Sequence, residues 1–269
     1  MNQLFALIWF TLKEMAGQRI YKTILFALVI LPWLLLIPTS LFMLDLAKVF
    51  IDMLFTAQHA WLSAYLFFLA VPLLARDIEQ GICSIFLTLP MSRERYLWSR
   101  FLGVICSILP LLLCYITSAA IAFFWASNIW PGYVSSDAVL SFSLGSILIL
   151  MPYLALTAVL FLIAASATGS AEITVFLFST WLICWSLPPV LDAILSVEVA
   201  EKTPPWIAIL LHGINHLLPD LSSSQISLRL AHQFPLQPSS IIAYCTQHIA
   251  YAVVAIIAAI AVFKRRDLK

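Results

Sequence analysis

The side chains able to do chemistry in this chain are few, and they are gathered. Arg76, Asp77, Glu79, Arg93, Glu94, Arg95 and Arg100 fall in one stretch, RDIEQGICSIFLTLPMSRERYLWSR, of a 269-residue chain in which only 10% of residues are Asp, Glu, Lys or Arg. Charge gathered in this way in so apolar a chain points to contact with a partner. The bond-making patterns are missing from the sequence. No lysine follows a glycine, so there is no phosphate-cradling loop of the Gly-Lys-Ser/Thr kind. There is neither a G-x-S-G serine nor an H-E-x-x-H pair for an intramembrane hydrolase. His212 and His216, at i and i+4, have the spacing for shared metal ligation, but Asp220 is their one acidic neighbour, and two water-facing histidines on an interfacial helix are the expectation. Cys83, Cys106, Cys114, Cys184 and Cys245 are scattered without a C-x-x-C, as small apolar residues rather than a disulfide or metal set.

The elements that must position the charged stretch are membrane spans. Hydrophobic residues make up 63% of the chain and its mean hydropathy is +1.02. Such composition excludes a soluble domain, and continuous apolar runs with only seven glycines exclude a β-barrel. The fold class is therefore an all-α integral membrane protein. Runs of about 20 apolar residues place six spans at about 23–44, 57–75, 101–125, 139–165, 173–191 and 241–263 in a single domain, 1–269. Eleven of the fourteen Lys and Arg lie in the N-terminal segment, the 76–100 link and the C-terminal tail. The positive-inside rule puts these three segments, both termini included, in the cytoplasm. The formal net charge of +1 carries no nucleic-acid signal.

Residues 1–22 read as an interfacial helix, with Leu4, Phe5, Ile8, Trp9, Leu12, Met15, Ala16 and Ile20 on an apolar face and Gln3, Thr11, Glu14 and Gln18 opposite. In the link, Ile78, Ile82, Ile85, Phe86 and Leu89 form one helical stripe, with Asp77, Gln80, Gly81, Ser84 and Thr88 opposite. The spacing predicts one amphipathic helix from Asp77 to Leu89. Asp77 and Glu79 sit in its first turn, where the helix dipole favours carboxylates; Pro90 stops it and Ser92 caps the next helix. On the far side, Asp45, Lys48 and Asp52 share a helical face, and the segment 196–240, divided by prolines, predicts two short helices, 206–218 and 222–234, resting at the outer interface. His248 and Gln247 lie one or two turns into the sixth span.

Glu79-Gln80-Gly81, then Leu87-Thr88-Leu89-Pro90-Met91-Ser92-Arg93, then Tyr96, Leu97 and Arg100, resemble the "E-x-G-T-L, L-L-x-x-P-x-S-R, basic residue" pattern of ABC-2 type transporter permeases. The tail Phe263-Lys264-Arg265-Arg266-Asp267-Leu268 is similar to their "F-x-R-R-D-L" ending. Ile82 and Cys83 stand where Thr and Leu are usual, and Arg100 replaces the usual Lys. The resemblance implies an N-terminal elbow helix, a coupling helix between spans two and three, and the permease role in an exporter of the bacterial cytoplasmic (inner) membrane. It also implies that a dimer of cytoplasmic ABC ATPase subunits binds ATP and magnesium, so that this chain itself is not an enzyme and carries no cofactor. A second permease copy or paralogue and membrane lipids complete the expected partners. Arg76, Asp77, Glu79, Gly81, Ile82, Ile85, Phe86, Pro90, Ser92 and Arg93 are then the ATPase-docking candidates. The alternatives are an ion-coupled secondary carrier, which wants ionisable groups at mid-span, and an intramembrane enzyme.

Overall fold

The computed structural model describes residues 3–41, 46–87, 91–131, 137–195, 204–221, 224–232, 234 and 237–266. Asp45, Pro90 and residues 196–203 lie outside them. The described elements are helical: α1 (Gln3–Gly17), α2 (Arg19–Thr39), α3 (Leu46–Tyr65), a π-helical turn (Leu66–Ala70), α4 (Val71–Glu79), α5 (Ile82–Leu87), α6 (Arg93–Ile129), α7 (Ala138–Ser166), α8 (Ser170–Ile194), α9 (Pro205–Leu217), α10 (Ser224–Ala231) and α11 (Pro238–Arg265). Six helical runs are long and apolar enough to cross a membrane, namely α2, α3 with the π turn and α4, α6, α7, α8 and α11. The chain is a multi-pass membrane protein. α7 is the central helix, two thirds of its apolar window being buried, and α11 lies along it in the most extensive helix–helix contact.

Proline chemistry shapes the spans. The π turn ends just before Pro72, whose ring would meet the carbonyl of residue 68 in an uninterrupted α-helix; a wider turn relieves that clash. Pro188 removes the N–H that would bond the Cys184 carbonyl, and the backbone N–H of Leu221 supplies the missing bond at 3.2 Å.

That bond places the α9–α10 connection against the middle of α8. Asn215 Nδ2 donates to Asp192 Oδ1 near the end of α8 (2.8 Å), and six residues later the chain has reached Cys184. α10 then packs on α3 and α7, with Leu230 against the Gly145–Phe55 contact. The two short helices expected on the outer interface exist close to their predicted bounds, but the connection between them re-enters the bundle. Non-helical backbone is tolerated at that depth only where protein or water surrounds it. His212 and His216 fall in α9.

The N-terminal helix keeps Phe5 and Trp9 of its apolar face outward, as expected, but turns Thr11 and Glu14 of its polar face to the protein rather than to water. Leu7, Thr11 and Met15 are buried against α6, whereas Phe5, Trp9 and Phe10 are exposed. Thr11 meets Gly103 and Met15 Sδ lies 3.2 Å from Ser107 Oγ, so residues four apart on α1 meet residues four apart on α6. In an apolar solvent the polar stripe seeks the protein, where partners are, and the apolar face is left to the lipid.

Candidate docking site on the termini-bearing face

The start of α1, the α4–α5 link, the start of α6, the end of α7, the start of α8 and the end of α11 gather on one face of the bundle. The link is not one amphipathic helix. The helix of span two runs on through Asp77 to Glu79, the chain turns at Gln80 and Gly81, and α5 begins anew at Ile82. Gly81 has φ +62°, the left-handed region that an L side chain enters at a cost, and this is where the predicted stripe breaks. Asp77 and Glu79 therefore sit in the last turn of a helix. The dipole there disfavours carboxylates, so other partners must hold them.

For Asp77 the partner is Arg100, which the sequence places at the mouth of span three and which is 1% exposed. Arg100 Nη2 donates to Asp77 Oδ1 (2.8 Å), and Arg100 Nη1 donates to Glu14 Oε2 (2.7 Å) and Thr11 Oγ1 (3.0 Å). The Tyr96 hydroxyl donates to Asp77 Oδ2 (2.9 Å), and Arg76 pairs with the second oxygen of Glu14. Two carboxylates and two guanidiniums from α1, α4 and α6 form a charge-balanced cluster. Its cover is aromatic. The Arg100 guanidinium lies 5.7 Å from the Phe10 ring, 5.5 Å from Phe86 and 6.0 Å from Tyr96, distances at which cation–π attraction adds to the ion pairs. Phe86 is thus the side chain by which α5 is seated, its ring edge-on to Phe10 at 5.7 Å. Gly103 lets α1 close in: a Cβ there would come within 2.6 Å of Thr11 Cβ. A small cavity of about 30 Å³ lies beside the cluster, lined by Asp77, Cys83, Tyr96 and Arg100 on one side and by Phe161 and Phe263 on the other.

The other charges bind helix ends across the same face. Glu79, itself exposed, accepts the backbone N–H of Ser170 at 2.6 Å and so covers the N-terminus of α8, where Glu172 also accepts the N–H of Thr168 (2.8 Å). Arg93 Nη1 donates to the carbonyls of Lys264 (3.0 Å) and Arg266 (2.8 Å) at the end of α11. Arg266 Nη1 in turn donates to the carbonyls of Ala164 (3.1 Å) and Ala165 (3.2 Å) at the end of α7. Lys264 pairs with Glu94. Each is a charge placed at the helix end of opposite partial sign.

Among the sequence candidates, Arg76, Asp77, Glu79, Phe86 and Arg93 are engaged within the chain. Ser92 caps α6 as expected, its Oγ accepting the Arg95 N–H at 3.3 Å. Gly81 makes the turn, Ile82 is half-buried at the start of α5, and Ile85 lies within α5. Gln80 and Arg95 are exposed beside them. Sequence reasoning missed Glu14, Thr11, Gly103 and the inward use of Arg100 and Arg266. One available signal was Glu14, an acid on the first helix with no local partner one turn away in a chain where charge is scarce. The face can hold a stiff, ion-braced platform toward water; among the described residues no group of three His, Cys, Asp or Glu side chains is placed to hold a metal ion. Searches for relatives of this sequence return no matching protein-family model and no matching curated protein.

Proposed function

We propose that this chain is the permease subunit of an ATP-binding cassette exporter, with the termini-bearing face in the cytoplasm of a bacterial inner membrane and the α4–α6 link as the docking point of a separate ATPase. The observation that carries this reading is the bracing of the link. A short helix pinned through Phe86, Arg100 and Asp77 to α1, α4 and α6 moves only if those helices move, so a push on α5 becomes a tilt of spans two and three. The Glu79 contact to α8 and the Arg93 and Arg266 contacts extend that connection to α7, α8 and α11. The motif resemblance of residues 79–100 and of the tail supports the same assignment. ATP and magnesium belong to the partner, and two copies or paralogues of this chain complete the pathway.

The test is recovery of the chain from its native membranes in mild detergent, with mass spectrometry of what accompanies it. An ATPase bearing a phosphate loop and an ABC signature sequence is expected. Gln80→Trp, an exposed change at the tip of the link, is expected to release it while leaving thermal stability unaltered. If the wild-type chain brings down no ATPase, or Gln80→Trp retains it with full transport, the docking assignment is wrong.

A further inference from the structure

Buried side-chain polar atoms without a hydrogen-bond partner lie in both halves of the bundle: near the termini they are guanidinium nitrogens of Arg76 and Arg100, both already ion-paired, whereas in the opposite half they are spread over neutral side chains. On the termini-bearing side the hydroxyls of Thr11, Tyr21, Tyr65 and Ser107 each make hydrogen bonds. Toward the opposite face, Gln58 Oε1, both ring nitrogens of His59, Ser146 Oγ, Ser227 Oγ and His248 Nε2 are buried without a hydrogen-bond partner among the described residues. Four of the residues lie at comparable depth. Gln58 and His59 lie 12 and 13 residues into α3, Ser146 eight residues into α7 and His248 ten residues into α11, or about 12–20 Å from the helix ends at 1.5 Å per residue.

Several of them lie beside one feature, the re-entrant α9–α10 connection. Gln58 Nε2 donates to the Ser146 carbonyl at 2.7 Å, which ties α3 to α7 beside the Gly145–Leu230 contact with α10. Ser227 is one turn from Leu230 on α10, and both are buried. Asp220, in the connection itself, interacts electrostatically with both Cys184 and His248. His59 sits over Trp185 and Tyr153, and beneath it Ser63, the Tyr153 hydroxyl and Trp181 Nε1 form a bonded floor: Tyr153 OH reaches the His59 carbonyl at 3.0 Å and Trp181 Nε1 donates to Ser63 Oγ at 3.0 Å. Each orphaned polar atom costs about 1–3 kcal/mol if it stays dry, and more in a bilayer. Water reaching these five residues would remove that cost.

We infer that the half of the bundle away from the termini encloses a hydrated, hydrogen-bonding compartment, reached along the re-entrant connection and floored by the Ser63–Tyr153–Trp181 cluster, whose ligands are water and hydrogen-bonding solutes. Water there satisfies Gln58, His59, Ser146, Ser227 and His248, and solvates the non-helical backbone around Leu221. Resting on the permease reading, one further consequence concerns cargo: the exit half favours a solute rich in hydroxyl or amide groups over an acyl chain.

The compartment is tested without any ATPase, so its failure is separate from failure of the motor assignment. Ser146→Cys and Ser227→Cys in open membrane sheets are treated with a membrane-impermeant sulfonated thiosulfonate, and modification is located by mass spectrometry. Ala119→Cys, buried ten residues from the outer end of α6, is the reference. Modification about tenfold faster at positions 146 and 227 than at 119 is expected, since thiol reaction follows water access. Equal or slower modification overturns the inference. The unaltered protein gives a second reading by hydroxyl-radical footprinting: His59 and His248 oxidise at rates near those of exposed histidine if water reaches them, and stay unmodified if the compartment is dry.

Discussion

Arg100→Met is the sharpest perturbation the fold offers. The methionine keeps most of the stem volume and removes a charge that two carboxylates share. At 2.7 and 2.8 Å, each ion pair is worth about 6 kcal/mol at an effective dielectric of about 20, before the several kcal/mol needed to desolvate each charge. The net worth of the pairs is therefore small, but the cost of breaking them is not: Asp77, 2% exposed, would be left with Tyr96 as its remaining hydrogen-bonding partner. Losing one partner of a buried pair costs about 3–5 kcal/mol, or roughly 10 °C in the melting of a chain this size. The informative comparison is Arg100→Met with Asp77→Asn. The double variant restores charge balance, leaving Glu14 with Arg76, and an asparagine oxygen still accepts from Tyr96. Thermal unfolding in detergent, followed by intrinsic tryptophan fluorescence, should show the double variant recovering more than half of the single variant's loss. If Arg100→Met melts with the wild type, or if the double variant is no more stable than the single one, the cluster is not the brace described above.

Three further outcomes follow from the same geometry. Gly81→Ala forces an alanine to φ near +62° and should cost about 1–2 kcal/mol, with Gly81→Asn costing less because asparagine tolerates that region; thermal unfolding of the two variants checks the order. Glu79→Ala should speed amide exchange at Ser170 more than Glu79→Gln does, since the amide oxygen of glutamine still accepts the N–H; equal exchange in both variants would remove Glu79 as the cover of α8. Pro188→Ala restores the donor that the Cys184 carbonyl lacks, so the Leu221 N–H loses its place and amides around Leu218–Leu221 should exchange faster while α8 gains protection; hydrogen exchange with peptide-level mass spectrometry reads both.

The six spans were legible because an apolar run of about 20 residues has few alternatives. Their helices run past the apolar stretch, as in α6, whose first turns carry Arg93 to Arg100, because a helix needs no lipid once protein covers it. What sequence could not decide was which way a polar residue faces. Helical periodicity puts Thr11 and Glu14 toward water because they are polar, yet the nearest polar partners lie inside, on Arg100 and Arg76. The stripe Ile78, Ile82, Ile85, Phe86 continued through Gln80 and Gly81 without a visible break, since a single glycine inside a helical pattern is tolerated at a cost of about 1 kcal/mol. Arg100 at the mouth of a span reads as a headgroup contact until a helix more than eighty residues earlier supplies Glu14. The re-entrant turn was hidden by its own composition, because Pro219 and Asp220 spell an exposed loop. The missing signal was at the other end: Pro188 leaves a carbonyl in mid-span that some other donor must meet.

The same reasoning connects the two halves of the bundle. Near the termini, the buried hydroxyls and carboxylates are satisfied inside the protein, and five helix ends or link positions are tied to one another by charge. Rotating one helix there would break buried ion pairs at a cost of several kcal/mol, so the segment moves as a body or not at all. In the opposite half the polar atoms of Gln58, His59, Ser146 and His248 are met by water, and a water bond re-forms in a new position at little cost. The bundle therefore has a stiff end and a compliant end, and α3 with α4, α7, α8 and α11 runs through both. Displacement imposed on the stiff end has its low-cost outlet among the solvated groups around the re-entrant turn, where Leu221 is held to Cys184 by a single backbone hydrogen bond. A double variant that stiffens that outlet, with Ser146→Ala and Ser227→Ala removing two of the water-binding groups, should raise thermal stability by closing a polar gap and, on the permease role proposed above, lower ATP-dependent transport. A rise in stability with transport unchanged would show that the compliance of the distal half plays no part in the cycle.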